Sequence, residues 1–256
     1  MTYHVLIPSY GRATTIWQDT ITTLIQAEIP PDRITVLAGP TPGYPAALTG
    51  PPGIRHINVP AGLRHVNNWI NEHHHGQWII RADDDLRKVV RLIRNVKGKP
   101  AITPVTDLHT LFSNACDWAD DQAITLWGID PTANPGFMRH QWKTGLYFVF
   151  GALFGYRPGH PCQLSAKDDY ERSLLHFTAD GAVGRLSDIA VQPRPMRAYP
   201  GGLQTELTDR RAAEHTATAE LKARWPHLIQ DKPTRDGYPE IALRLPSLRV
   251  QRGGRP

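Results

Sequence analysis

Three consecutive carboxylates, Asp83-Asp84-Asp85, end the apolar run Trp78-Ile79-Ile80-Arg81-Ala82. With two β-branched isoleucines the run reads as a buried strand, and like charges crowded at a strand end repel one another unless a cation sits among them. Hard divalent cations such as Mg2+ and Mn2+ take carboxylate oxygens and leave positions for water and substrate phosphates; Asp83 and Asp85 supply such a pair as D-x-D. A solvated acidic turn would show the same letters, so the triplet needs company before it means catalysis. Two further stretches offer it. Ile7-Pro8-Ser9-Tyr10-Gly11-Arg12 ends the first predicted strand, where Tyr10 can stack on a base and Arg12 can neutralise a diphosphate. Lys167-Asp168-Asp169-Tyr170-Glu171 opens a predicted helix. The helix dipole there favours ionised carboxylates, and an ionised carboxylate beside an acceptor hydroxyl can act as a general base. An ordinary β-α turn and a helix cap are the plainer readings of these two stretches.

The elements that must carry these residues alternate. A strand over Tyr3 to Tyr10 leads to a helix from Thr14 to Ala27, with Trp17, Ile21, Leu24 and Ile25 at helical spacing and Pro30-Pro31 as its stop. A strand at Ile34 to Gly39, a Pro/Gly-rich loop from Pro40 to Gly53, a short strand at Ile54 to Val59 and a helix from Gly62 to His75 follow, before the strand that ends in the aspartates. Such alternation predicts an α/β fold with a mostly parallel sheet and right-handed crossovers. Ligands of open α/β sheets bind outside the carboxyl ends of the strands, which puts Pro8 to Arg12 and Asp83 to Asp85 on one rim. Beyond the triplet the pattern predicts a helix from Thr106 to Asp120 and a strand from Ala123 to Asp130. The most apolar stretch, Lys143 to Tyr156, is expected to cross the core as strand, followed by a helix opening at Asp168 and a strand from Gly184 to Gln192. A Gly201-Gly202-Leu203 loop and a last helix from Thr208 to Trp225 complete the pattern.

Composition narrows the class. The chain has 256 residues, 40% hydrophobic and 21% charged, as expected of one sizeable soluble domain, and no window is apolar for long enough to cross a bilayer. The first residues run straight into a strand without an export signal, so a cytoplasmic protein is expected, with Cys116 and Cys162 as separate thiols. The net charge of +5 permits a polyanionic partner. Arg235, Arg244, Arg249, Arg252 and Arg255 concentrate it in a basic, Pro/Gly-rich tail over 231–256, which reads either as an arm for phosphates or as a solvated terminus. Neither G-x-G-x-x-G nor a P-loop occurs, which argues against dinucleotide-binding and P-loop folds. Consecutive histidines point in different directions on a helix, so His73-His74-His75 is no metal site, and His215 fits an exposed helix face.

In order and type the three motifs resemble those of the GT-A glycosyltransferases. There a strand-end I-P-[ST]-Y-x-R contacts a nucleotide-sugar donor, a D-x-D holds Mn2+ or Mg2+ on its diphosphate, an x-E-D-type segment supplies the base or an acceptor contact, and a third metal ligand often lies in the region where this chain has His215; this chain carries Asp168 where Glu is more usual. Within that superfamily it looks most like the TET/JBP-associated enzymes that phages use to glycosylate hydroxymethylated pyrimidines of their DNA, a likeness that extends to Gly201-Gly202-Leu203 and to Glu220-Leu221-Lys222-Ala223-Arg224-Trp225-Pro226. The resemblance implies a GT-A-type, mostly parallel mixed sheet over residues 1–230. It implies a UDP-sugar donor, UDP-glucose by preference, held by Pro8, Ser9, Tyr10, Arg12, Asp83 and Asp84, and a metal on Asp83 and Asp85. Asp169, with Asp168 as substitute, would be the base, and a hexose would pass to modified phage DNA in the host cytoplasm, with no membrane partner. A polysaccharide, protein or small-molecule acceptor, or an inactive DNA-binding relative, are the alternatives.

Overall fold

The computed structural model describes residues 2–39, 52–192, 209–235 and 237–246. In chain order the strands are β1 (Tyr3–Ser9), β2 (Ile34–Ala38), β3 (Arg55–Asn58), β4 (Trp78–Ala82), β5 (Val89–Arg94), β6 (Pro100–Pro104), β7 (Leu126–Asp130), β8 (Trp142–Gly145), β9 (Leu153–Tyr156), β10 (Val183–Val191), β11 (Ile229–Arg235) and β12 (Tyr238–Leu243). The helices are α1 (13–26), α2 (Leu63–His73), α3 (Leu108–Asp121), α4 (Asp168–Asp180) and α5 (Arg210–Arg224).

The main sheet runs β3-β2-β1-β4-β9-β7-β10-β5-β6, with β8 also on β10. β1 to β4 are mutually parallel, β9 lies antiparallel between β4 and β7, and β10 is parallel to β7. The carboxyl ends of β1, β2, β4, β7 and β10 therefore share one edge, in agreement with the α/β, mostly parallel mixed sheet expected. Every residue of β2, β4, β7 and β9 is buried, as a sheet covered on both faces requires. One face packs on α1 and α3 through Ile16, Ile21, Leu24, Leu108, Phe112 and Ala115. The other packs on α2 through Val66 and Ile70, and also carries Val149, Phe154 and Val183.

Local chemistry explains three departures from simple pattern. The turn Trp17–Ile21 of α1 is wound as a π-helix, and Ile16 and Ile21, five apart, both reach the core. Lys143 to Tyr156 is not one strand. It is β8 and β9 joined by residues 146–152, which fold back over the sheet because Gly128 leaves room: a Cβ there would meet Val149 Cγ1 at 2.7 Å. Thirdly, the domain boundary expected at 230/231 falls inside β11. Residues 229–243 form a hairpin with Ile241 fully buried among Leu174, Ala217 and Leu221, held by Tyr170 Oη donating to the Ile241 carbonyl at 3.0 Å. The hairpin β5-β6 has no counterpart in the predicted elements. Gly201-Gly202-Leu203, most of the Pro40 to Gly53 loop and Arg249, Arg252 and Arg255 lie outside the described residues.

Candidate active site

β1 and β4 part at the edge where the motifs sit. Proline has no N–H to give its neighbour, and with Pro8 in β1 the β1-β4 register stops at Leu6 opposite Arg81, while β1 stays paired with β2 as far as Ser9 opposite Ala38. The chain after β4 is then free to turn. Its turn is fixed by the π segment of α1: Thr20 Oγ1 donates to the Asp83 carbonyl at 2.8 Å and accepts from the Leu86 N–H at 2.8 Å, and Asp19 pairs with Arg87 at 2.9 Å.

The three aspartates divide by direction. Asp84, 5% exposed, turns towards the β1 end, where Ser9 Oγ donates to one carboxylate oxygen at 2.6 Å and Arg12 Nη1 to the other at 2.8 Å. Asp83 and Asp85 line a cleft of about 310 Å3 together with the adjacent Leu86 and with Pro131, Phe150, Ala152, Val191 and Gln192, the last five from the ends of β7 and β10 and the approach to β9. Asp85 is partly exposed and touches Arg12 Nη1 at 3.3 Å. Burial pushes the Asp83 carboxyl up to about 7; Arg81 opposes this and the neighbouring Asp85, Asp84 and Asp168 add to it. Tyr10 lies against the end of β2, where Gly39 makes space for its ring.

The second acidic pair is tied to the first through buried polar groups. Arg81, two residues before Asp83 and so on the same side of β4, donates to Asn67 Oδ1 at 2.6 Å. Asn67 Nδ2 donates to Asp168 at 3.3 Å, and Arg172 Nη1 donates to the same Asp168 oxygen at 3.3 Å. Arg172 also lies over the Phe154 ring, 3.9 Å from its centroid. α2 holds the segment leading to α4 by two further amides: Asn68 exchanges hydrogen bonds with the Cys162 backbone and Asn71 with Gly159 and His160. Fully buried Glu171 accepts from the Gln163 and Leu164 N–H groups and pairs with Arg224. Asp168 is thus paired with a guanidinium and an amide, whereas the Asp169 carboxyl accepts among the described residues only the Tyr170 N–H, at 2.9 Å. Burial, then the adjacent Asp168, raise the Asp169 carboxyl well above the usual range. A carboxylate whose affinity for a proton approaches neutrality suits proton abstraction.

Five carboxyl groups (Asp83, Asp84, Asp85, Asp168, Asp169) face three guanidinium groups (Arg12, Arg81, Arg172), an excess of acid that a bound cation would offset. Among the described residues no third His, Cys, Asp or Glu completes a closed metal cage, so Asp83 and Asp85 would leave coordination positions open. His215 instead makes a hydrogen bond to the Gly237 carbonyl at 3.1 Å. Pattern reading did not single out Arg81, Asn67, Arg172 or Thr20. Arg81 carried a signal, as a cation inside a buried strand; Asn67 and Asn71 sit beside Val66 and Ile70 on the buried face of α2.

No family model matches the chain, and no curated protein does. Among solved structures it is similar to the mannosyltransferase PcManGT from Pyrobaculum calidifontis in complex with GDP-Man and Mn2+, with 17% identity and a TM-score of 0.46 over 77% of this chain and 58% of that one. It is also similar to S. aureus TarS 1-349 in complex with UDP, with 15% identity and a TM-score of 0.45 over 73% of this chain and 58% of that one. The chain thus covers less than two thirds of either structure. Among the described residues no helix is long and apolar enough to cross a membrane.

Proposed function

We propose that this chain is a metal-dependent glycosyltransferase of GT-A type, moving a hexose from a nucleotide sugar to an acceptor hydroxyl. The observation that carries the reading is the pairing of Asp83 and Asp85 in one cleft at the carboxyl edge of the sheet, with a second acidic pair wired to it through Arg81, Asn67 and Arg172. Asp83 and Asp85 would hold Mn2+ or Mg2+, which when bound supplies positive charge against the diphosphate leaving group. Arg12, which already reaches Asp85, stands where it can share that diphosphate, and Tyr10 can lie against the base of the donor, for which UDP-glucose is our choice. Asp169 takes the proton of the acceptor hydroxyl as that oxygen bonds to the sugar C1 and the bond from C1 to the diphosphate breaks. Asp168, held in place by Arg172 and Asn67, keeps Asp169 basic by like-charge repulsion. Phe150, 39% exposed at the cleft, offers a face on which a sugar ring can stack.

For the acceptor we propose the hydroxymethyl group of a modified pyrimidine in phage DNA. The motif resemblance and the +5 charge support it. Incubation with UDP-glucose, Mn2+ and hydroxymethylated DNA, followed by digestion to nucleosides and mass spectrometry, should yield a hexosylated nucleoside. Sugar release to water with unmodified DNA would keep the transferase and remove the DNA acceptor; no consumption of any sugar nucleotide would remove both.

A further inference from the structure

Three cations gather on the face of the sheet that carries Asp83 and Asp169, and none has a carboxylate within ion-pair distance among the described residues. Lys143 of β8 and Arg185 of β10 are directly opposed in the antiparallel ladder, so they share a face. Both lie over the ring of Tyr147, Lys143 Nζ at 5.0 Å and Arg185 Cζ at 4.6 Å from its centroid. Arg139 arrives from the preceding loop, its backbone N–H donating to Ser187 O at 2.9 Å and its guanidinium only to the carbonyls of Gly136 and Met138. Asp130, the acidic group they surround, spends a carboxylate oxygen on the Thr132 N–H.

The cluster is joined to the reacting end by contact. Arg185 Nη2 donates to the Phe148 carbonyl at 2.7 Å, and the Phe148 ring lies 4.4 Å from that of Tyr170, the residue after Asp169. Cations held over an aromatic face are oriented before a ligand arrives, and unpaired guanidinium and ammonium groups choose phosphate over neutral ligands. The donor diphosphate already has a place, beside Asp83, Asp85 and Arg12. A second anion-seeking centre on the Asp169 side is therefore available to the other substrate. Resting on the assignment of Asp169 as base, we infer that Lys143 and Arg185 over Tyr147, with Arg139 from the neighbouring loop, form an acceptor subsite for phosphate, and that the acceptor carries its reactive hydroxyl on a phosphate-bearing chain.

The test compares wild type with a Lys143→Ala/Arg139→Ala double variant, leaving Arg185 in place because it also holds Phe148. Affinities for a fluorescent single-stranded oligonucleotide are measured by anisotropy over a range of KCl, with inorganic polyphosphate as competitor. Loss of two phosphate contacts should weaken binding and lower the slope of log affinity against log salt by about 0.7 per contact, and Lys143→Arg alone should keep the wild-type slope. Displacement by polyphosphate assigns the subsite to phosphate chains at large; resistance to it assigns nucleic acid. Superimposable salt lines for wild type and double variant, or no binding of either polyanion by wild type, overturn the subsite. A parallel titration of UDP with Mn2+ separates the two readings: it should be the same in both proteins, and its absence in wild type would sink the donor reading without altering what the salt slopes report.

Discussion

Replacing Asp84 and Asp85 one at a time by asparagine should separate a structural clamp from a metal ligand. Both Asp84 oxygens are committed, to Ser9 Oγ at 2.6 Å and Arg12 Nη1 at 2.8 Å, and the side chains of Asp84 and Arg12 are only 7% and 17% exposed. An asparagine places an NH2 opposite one of these donors, and the remaining bond loses its charge assistance. A hydrogen bond to a charged group contributes about 1.5 to 3 kcal/mol, so Asp84→Asn should cost about 2 to 3 kcal/mol. For a chain of this size that is a fall in Tm of roughly 5 to 10 °C. Asp85 is 36% exposed with one contact to Arg12 at 3.3 Å, an arrangement that contributes less than about 1 kcal/mol. Asp85→Asn should therefore melt close to wild type yet lose Mn2+-dependent UDP binding, because an amide coordinates a hard cation poorly. Differential scanning calorimetry and isothermal titration with UDP and Mn2+ read the two effects separately. Asp84→Asn melting with wild type, or Asp85→Asn binding UDP and Mn2+ undiminished, would refute the division of labour.

Three further outcomes follow from the same geometry. Asp169→Asn should abolish turnover and leave UDP affinity near normal, since a base acts in the transition state and does not hold the nucleotide; a parallel collapse of binding would move Asp169 into the donor site. The same variant should gain stability over wild type as pH rises above about 4, because the folded Asp169 holds its proton to higher pH than the unfolded one, so wild type loses stability as pH climbs through that window; equal pH profiles of Tm would contradict the raised affinity. Gly128→Ala should destabilise by about 1 to 3 kcal/mol through contact with Val149, and Val149→Ala in the same chain should restore part of it, as denaturant midpoints would show.

The residues of the candidate site were legible because their types are rare where they stand. An acidic triplet at the end of an apolar run, and a proline followed by Ser-Tyr-x-Arg at the end of another, stand out without knowledge of neighbours, and the alternation of periods was enough to put both on one edge of a parallel sheet. The continuous strand expected over 143–156 failed for a reason outside the window: apolarity shows that a stretch is buried, not whether it is buried in the sheet or on it. Residues 146–152 lie on it, with Val149 and Ala152 buried, over a glycine of another strand. The hairpin β11-β12 was hidden by the opposite bias. Its strands carry Asp231, Lys232, Pro233 and Glu240, so charge and proline suggested a loose tail, while a few residues, Ile241 above all, reach the α4-α5 core.

What reading along the chain could not supply is the link between the two acidic clusters, because it runs across sequence distance. Arg81 and Asn67 are 14 residues apart, and Asn67 and Asp168 are 101. Alternation along β4 nevertheless places Arg81 on the side of Asp83, and a guanidinium buried there needs acceptors, which amides satisfy without neutralising it. Amides rather than acids at Asn67 leave the charge of Arg81 available to Asp83 and that of Arg172 to Asp168. The network therefore sets position and charge together. A substitution such as Asn67→Asp would keep the hydrogen bond to Arg81, add a sixth carboxyl to a cluster already short of positive charge, and push Asp169 further from ionisation. Catalysis should then fail at neutral pH and recover at higher pH, and a rate profile indistinguishable from wild type would show that Asn67 serves only to fill space.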